Sequence, residues 1–208
     1  MDNNSELNRE NINVDVKDNV KEQNKRVFLS YLHDLVTLVA AVLLIFSLLF
    51  RVVIVSGPSM NDTLIDGDWL LLLSNVLYGD PKQGDIIVAS KDSYDNGSPI
   101  IKRVIATEGQ EVDIDFLSGL VYVDGTALEE PYTLTPTNMS EGITFPLIVD
   151  EGCLFVMGDN RNVSKDSRST EIGLIDCREV LGKAILLFFP GNNGGRLTRE
   201  FNRIGVLS

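Results

Sequence analysis

A single histidine, His33, and two cysteines, Cys153 and Cys177, are all this 208-residue chain has of the side chains that most often bind transition metals or act as bases at neutral pH. Neither cysteine belongs to a C-x-x-C pair, and with one histidine no zinc ligand set can be assembled. A Ser-His-Asp triad needs an imidazole beside the serine. His33 sits next to Asp34 at the entry of a long apolar run and reads as a polar residue there. In "EGCLFVMG" and "IDCREVLG" the cysteines fall on strand-like runs, where a small apolar side chain suffices, so the reading is two free thiols. A disulfide between them is the alternative in an oxidising compartment.

Clustered basic residues are also lacking. The net charge is −12, and residues 1–55 are close to neutral, so nearly all of it falls on the remainder. Such an acidic domain argues against nucleic acid as a partner. It suits an extracellular face and substrates with basic ends, although acidic surfaces mostly serve solubility. The length fits one sizeable domain with at most a small insertion.

Residues 1–26 are rich in Asn, Asp, Glu and Lys with almost no aliphatic periodicity, which predicts a disordered tail over 1–30. From Leu35 to Phe50 no residue is charged; Arg51 interrupts, and Val52 to Val55 continue the apolar run. A membrane-crossing helix needs roughly 20 apolar residues, so a single transmembrane anchor is expected over 31–55, with Arg51 reaching the interface. A cleavable signal peptide fits less well, because some 30 polar residues precede the run and no Ala-x-Ala follows. Lys25 and Arg26 lie before the run, and after Arg51 the next basic residue is Lys82. That asymmetry predicts a cytoplasmic N-terminus and an extracytoplasmic domain over 56–208.

Beyond Ser56 the chain breaks into short apolar runs separated by Gly, Asp and Pro: "DWLLLLSNVLYG", "GDIIVAS", "PIIKRVIATEG", "VDIDF", "LVYVDG", "CLFVMGD" and "VLGKAILLFF". "VDGT" carries an Asp-Gly of hairpin type. The expected fold is mostly β, a catalytic-type domain of packed antiparallel sheets, with a small Pro- and Thr-rich excursion at 129–150.

Within this frame three stretches stand out. "SGPSM" places Ser59 in a turn directly after the anchor; alone it is a tight turn, but its position near a bilayer surface suits a hydroxyl acting on membrane-borne substrates. With no usable histidine, a serine nucleophile would need a lysine base, whose pKa must fall from about 10.4 by burial away from carboxylates. Lys82, Lys91 and Lys165 lie in polar turns. Lys102 in "PIIKRVIA" has Ile100 and Val104 on its own strand face, which favours it modestly over Lys183 in "LGKAILLFF". The third stretch, "MGDNRNVSKDSR", is either a loop tied by Asp–Arg pairs and Asx-turns or a rigid support that orients a lysine amine.

Together these stretches resemble the type I signal peptidases, membrane-bound serine proteases that remove signal peptides from exported proteins. "SGPSMNDTL" resembles the family's Gly-x-Ser-Met-x-Pro-Thr-Leu box, "GDWLLLLS" the strand box after it, and "KRVIATEGQ" the Lys-Arg-Val box. "GDNRNVSKDSR" resembles the Gly-Asp-Asn-Arg-x-x-Ser-x-Asp-Ser-Arg box. The resemblance runs from the anchor to about Leu187, with the short inserted region of Gram-positive members.

It implies Ser59 as nucleophile, Lys102 as general base and Ser164 as a hydrogen-bond partner that orients the Lys102 amine. Asp159, Arg161, Asp166 and Arg168 would shape the loop by ion pairing, and Met60 would pack beside Ser59. Asp62 replaces the family's proline, implying a less rigid turn, and Gly57 stands where some members place an oxyanion-hole serine. The implied substrates are signal peptides of preproteins, cut after small-x-small sites at the lipid bilayer, with the export machinery as a further partner and no metal or cofactor. The rival readings are a self-cleaving Ser/Lys protein of the SOS-repressor type, and a silent membrane-anchored β-domain that binds exported proteins.

Overall fold

The computed structural model describes residues 3–192 and 199–207. The chain forms two units, residues 1–47 and 48–208.

The first unit belongs to one helix, α1 (Asn3–Leu49). Its stretch Gln23–Leu49 is 27 residues with a mean hydropathy reaching 2.3, long and apolar enough to cross a membrane. The sequence-based boundaries change at both ends. The expected disordered tail is helical from Asn3, residues 1 and 2 lying outside the described residues. Residues 1–26 contain neither Gly nor Pro, so nothing interrupts the helix where it joins the apolar run. At the other end the helix stops at Leu49, six residues short of the expected anchor end at 55. Phe50–Ile54 is strand β1, and its β-branched Val52, Val53 and Ile54 suit a pleated surface better than a helix.

In the second unit β1 pairs antiparallel with β2 (Trp69–Ser74), with Ile54 opposite Trp69. A single helical turn, α2 (Asn75–Tyr78), follows where the sequence pattern continues as strand. Then come β3 (Ile86–Ser90), β4 (Pro99–Thr107), β5 (Glu111–Asp115), β6 (Leu120–Val123), β7 (Thr126–Ala127) and β8 (Leu147–Ile148). The chain closes with β9 (Cys153–Met157), β10 (Ile175–Asp176), β11 (Val180–Phe189) and β12 (Gly205–Val206). The main sheet runs β1-β2-β11-β3-β4-β9-β10 with β12 beside β11; the smaller sheet runs β7-β6-β5-β8. Asp124 and Gly125, both at positive φ, make the expected turn between β6 and β7.

Each of the seven strand-like runs of the sequence therefore contains a strand. Their alternation fills three apolar clusters. Met60 and Leu64 from the loop after β1 join Leu70, Leu72 and Leu187 in one of them. Each fully buried Leu or Met there is worth about 1.5–3 kcal/mol, which fixes the loop's floor. Ile105, Phe155 and Met157 pack under the small sheet, and Ile87, Val104 and Val156 pack on the other face of the main sheet.

The strand order leaves two edge segments unpaired beside one cleft. β1 ends the main sheet, and β4 pairs with β9 only from Arg103 onward, so Pro99–Lys102 have β3 on one side alone. Both edges line one cleft of about 600 Å³.

Candidate active site

Ser59 stands in the loop between β1 and β2. The loop's base is closed by backbone bonds, Val55 N–H to Asp68 O at 2.8 Å and Gly67 N–H to Val55 O at 2.9 Å. Gly57 takes a φ of +88°, which a side chain would resist, and its N–H donates to Asp66 Oδ1 at 2.9 Å. Met60 is 1 % exposed and anchors the residue after Ser59 in the core. The residues on either side of Asp62 are bonded. Leu64 N–H donates to Met60 O at 2.8 Å, and Thr63 Oγ1 donates to Asp159 Oδ2 at 2.6 Å.

Lys102 reaches this loop from β4, opposite Ile87 of β3. Its Nζ lies 2.9 Å from Ser59 Oγ and 3.1 Å from Ile101 O. The side chain is 5 % exposed. Burial disfavours the ammonium and pushes the amine down to about 8; the carboxylates of Asp166 and Glu141 pull the other way, Arg168 with the burial, and Asp159 weakly against it. Burial wins. Three other lysines are engaged elsewhere: Lys183 pairs with Asp85, Lys165 with Glu171, and Lys91 donates to Leu174 O.

The loop after β9 carries the four charged residues singled out by the sequence, all at most 1 % exposed. Only Asp166 and Arg168 pair with each other, Arg168 Nε donating to Asp166 Oδ1 at 2.8 Å. Asp159 instead takes a two-pronged bond from Arg103, at 2.9 and 2.8 Å. Arg161 pairs with Glu130 in the 129–150 excursion and donates to Thr137 Oγ1 at 2.9 Å. The loop is thus fastened to β4, to the turn that bears Ser59 and to the excursion. Asn160 N–H completes this by donating to Ser59 O at 3.0 Å.

Ser164 departs from expectation. It is 1 % exposed, but its Oγ has no hydrogen-bond partner among the described residues and is not bonded to Lys102. The Lys102 amine is occupied by Ser59 and Ile101, while Ser164 packs against Gly158. A Cβ on Gly158 would stand 2.3 Å from Ser164 Oγ and 2.4 Å from Ser59 O. Ser164 and the Ser59 carbonyl thus both crowd Gly158 in this structure. Sequence reasoning missed Thr63, Glu130 and the role of Arg103. An arginine in an otherwise apolar strand is itself a signal, since a buried guanidinium needs a carboxylate.

The cleft beside Ser59 is lined by Val53, Val55, Met60 and Ile101 at its apolar part, and by Tyr94, Asp95 and Lys165 at its polar part. Among the described residues no group of His, Cys, Asp and Glu could hold a metal ion.

The family model of signal peptidase, peptidase S26, matches residues 28–189. A signal peptidase I of Bacillus licheniformis is 35 % identical over 181 residues, covering 83 % of this chain and 95 % of that protein. A probable signal peptidase I-1 of Synechocystis sp. is 39 % identical over 151 residues, covering 69 % of this chain and 73 % of its own length. The crystal structure of a signal peptidase I from Enterococcus faecalis V583 aligns with 51 % of this chain and 97 % of its own, at 29 % identity and a TM-score of 0.43. This chain belongs to the signal peptidase family, peptidase S26.

Proposed function

We propose that this chain is a membrane-bound serine endopeptidase that removes signal peptides from exported preproteins, with Ser59 as nucleophile and Lys102 as general base. The observation that carries the assignment of roles is the 2.9 Å approach of a buried lysine amine to a serine hydroxyl in a cleft edged by two unpaired strand segments.

Neutral Lys102 accepts the Ser59 proton as Oγ attacks the scissile carbonyl carbon. The oxyanion receives the Ser59 N–H, which has no partner among the described residues; the Gly57 N–H is already held by Asp66. One such donor is worth roughly 3–4 kcal/mol at comparable sites. As the intermediate collapses, the Lys102 ammonium protonates the leaving amine and the mature protein departs. Lys102 then deprotonates a water, which attacks the ester, releases the signal peptide's carboxylate and restores Ser59.

The substrate's cleavage segment lies extended between the β1 edge and Pro99–Lys102, bonding through its main chain. Val53, Val55 and Ile101 leave shallow apolar room that suits small side chains before the cut. The stretch Gln23–Leu49 of α1 anchors the chain in the lipid bilayer, with Lys25 and Arg26 on the cytoplasmic side and the β unit outside, where preproteins arrive from the export machinery.

The reading is tested with the full chain in detergent and a preprotein carrying an Ala-x-Ala site. Cleavage after the second alanine, abolished by Ser59→Ala, supports it. Cleavage that persists in a folded Ser59→Ala variant moves the nucleophile elsewhere, and no cleavage by the wild type favours a binding domain.

A further inference from the structure

The family match ends at residue 189, yet residues 199–207 return to the loop that carries Ser59. Arg203 donates from Nη1 to Asp68 Oδ1 at 2.9 Å and from Nη2 to Asp68 Oδ2 at 2.7 Å. Its Nη2 also donates to Thr63 O at 3.2 Å. Asp68 is fully buried, and its two oxygens accept further bonds from Gly191 N–H at 2.6 Å and Ile65 N–H at 2.8 Å.

Thr63 and Asp68 are not incidental partners. Thr63 is the residue whose hydroxyl ties the Ser59 loop to Asp159, and Asp68 closes the base of the loop through its bond from Val55. One guanidinium therefore holds the downstream half of the loop at two points. Gly191 also lies against the loop: a Cβ there would stand 2.2 Å from Asp66 O.

The segment that delivers Arg203 has its own supports on the sheet. β12 pairs with Leu186 and Leu187 of β11, Leu207 packs on the cluster that holds Met60, and Phe201 meets Phe189 edge to face at 6.1 Å. Arg199, in the same segment, stacks on Phe189 at 4.4 Å and donates to Pro190 O, so it braces the segment without touching the loop.

We infer that residues 199–207 form a strap and that Arg203 is a positioning residue, which fixes the loop so that Ser59 Oγ stays in line with Lys102. Cleavage needs that alignment to within a fraction of an ångström. The inference rests on Ser59 being the nucleophile only for its kinetic part; the fixing of the loop is a property of the fold.

The test compares Arg203→Ala, Arg203→Lys and Arg199→Ala in the detergent-solubilised full chain, with Ser59→Ala as the blank for cleavage. Hydrogen exchange of a peptide spanning 57–68 is read beside kcat and KM for an Ala-x-Ala preprotein. Arg203→Ala is expected to speed exchange in that peptide at least tenfold and to lower kcat about tenfold or more, with KM within twofold. Arg199→Ala, which loosens the strap but keeps the Arg203–Asp68 pair, should change both several-fold less than Arg203→Ala, and Arg203→Lys, keeping the charge but losing the two-pronged bond, should fall between wild type and Arg203→Ala. Addition of guanidinium-type cations should partly restore kcat of Arg203→Ala. Unchanged exchange over 57–68 in a folded Arg203→Ala overturns the strap, as does a kcat loss no larger than the loss of folded protein. Cleavage persisting in Ser59→Ala would instead count against the nucleophile assignment, leaving the exchange result to decide the strap.

Discussion

The amine of Lys102 sits 2.9 Å from the hydroxyl of Ser59, on a side chain that exposes only 5 % of its surface. A fully solvated lysine is protonated at neutral pH and cannot accept a proton; this one, pushed down to about 8 chiefly by burial, is a usable base in mildly alkaline solution.

The rate of preprotein cleavage should therefore rise about tenfold per pH unit below 8 and level off above it. The groups facing the amine are Asp166, Glu141, Arg168 and Asp159, and Glu141→Gln, which removes a pull toward the ammonium, should move the midpoint to lower pH. Stability follows the same shift. Between about 8 and 10.5 the folded state binds fewer protons at Lys102 than the unfolded state, so this group makes the protein more stable as pH rises through that window. Below it the buried ammonium is a cost of up to about 3 kcal/mol. Lys102→Met should accordingly be inactive yet more stable than wild type at pH 7, with the advantage shrinking toward pH 10.5. Thermal melts of both proteins across that range check it.

Asp159→Ala should be among the most damaging substitutions outside the dyad. It takes from the Arg103 guanidinium, 3 % exposed, the carboxylate to which it bonds twice, and releases Thr63 as well. Removing one member of a buried pair costs about 3–5 kcal/mol. Urea unfolding of Asp159→Ala, Arg103→Met and the double variant should give a double that is less destabilised than the sum of the singles.

Gly158→Ala adds one methyl where Ser164 and the Ser59 carbonyl already stand within 2.4 Å. Overpacking of this kind costs about 1–3 kcal/mol, and the Ser59 backbone must shift to relieve it. The expected outcome is a folded protein whose kcat falls at least tenfold. Adding Ser164→Ala should not restore it, because the contact with the backbone remains.

Cys153 and Cys177 should stay reduced in an oxidising medium. Along β9, Cys153 shares its face with Phe155 and Met157, whereas Cys177 packs with Ile175 and Val180 on the opposite face. Both are free in the structure, and burial raises both thiols, which slows oxidation. Denatured, unreduced protein should titrate two thiols per chain; a count of zero would show that the sheet faces do not separate them.

The sequence made the β unit legible because its strands alternate or run apolar for five to ten residues between Gly- and Asp-bearing turns. The end of the helix was not legible, because "FRVVI" carries the apolar run on across Arg51, and its β-branched residues settle as strand by pairing with β2, a partner some twenty residues away. Lys102 was separable from Lys183 only weakly by its neighbours; the carboxylate that claims Lys183 is Asp85, almost a hundred residues away in the chain. Arg203 was invisible for the same reason, since nothing local in "FNRIG" announces a buried partner at Asp68. Ser164 was misjudged in its contact, because a motif gives proximity to a lysine but not which acceptors the amine has already taken.

The most direct measurement is to mix enzyme with an Ala-x-Ala preprotein, quench in acid within the first turnover and map the acyl group by mass spectrometry. The account predicts a signal-peptide ester on Ser59 in the wild type, and none in Lys102→Met at any pH up to 10. An ester on another residue, or one that forms on Ser59 at the wild-type rate without Lys102, would contradict it.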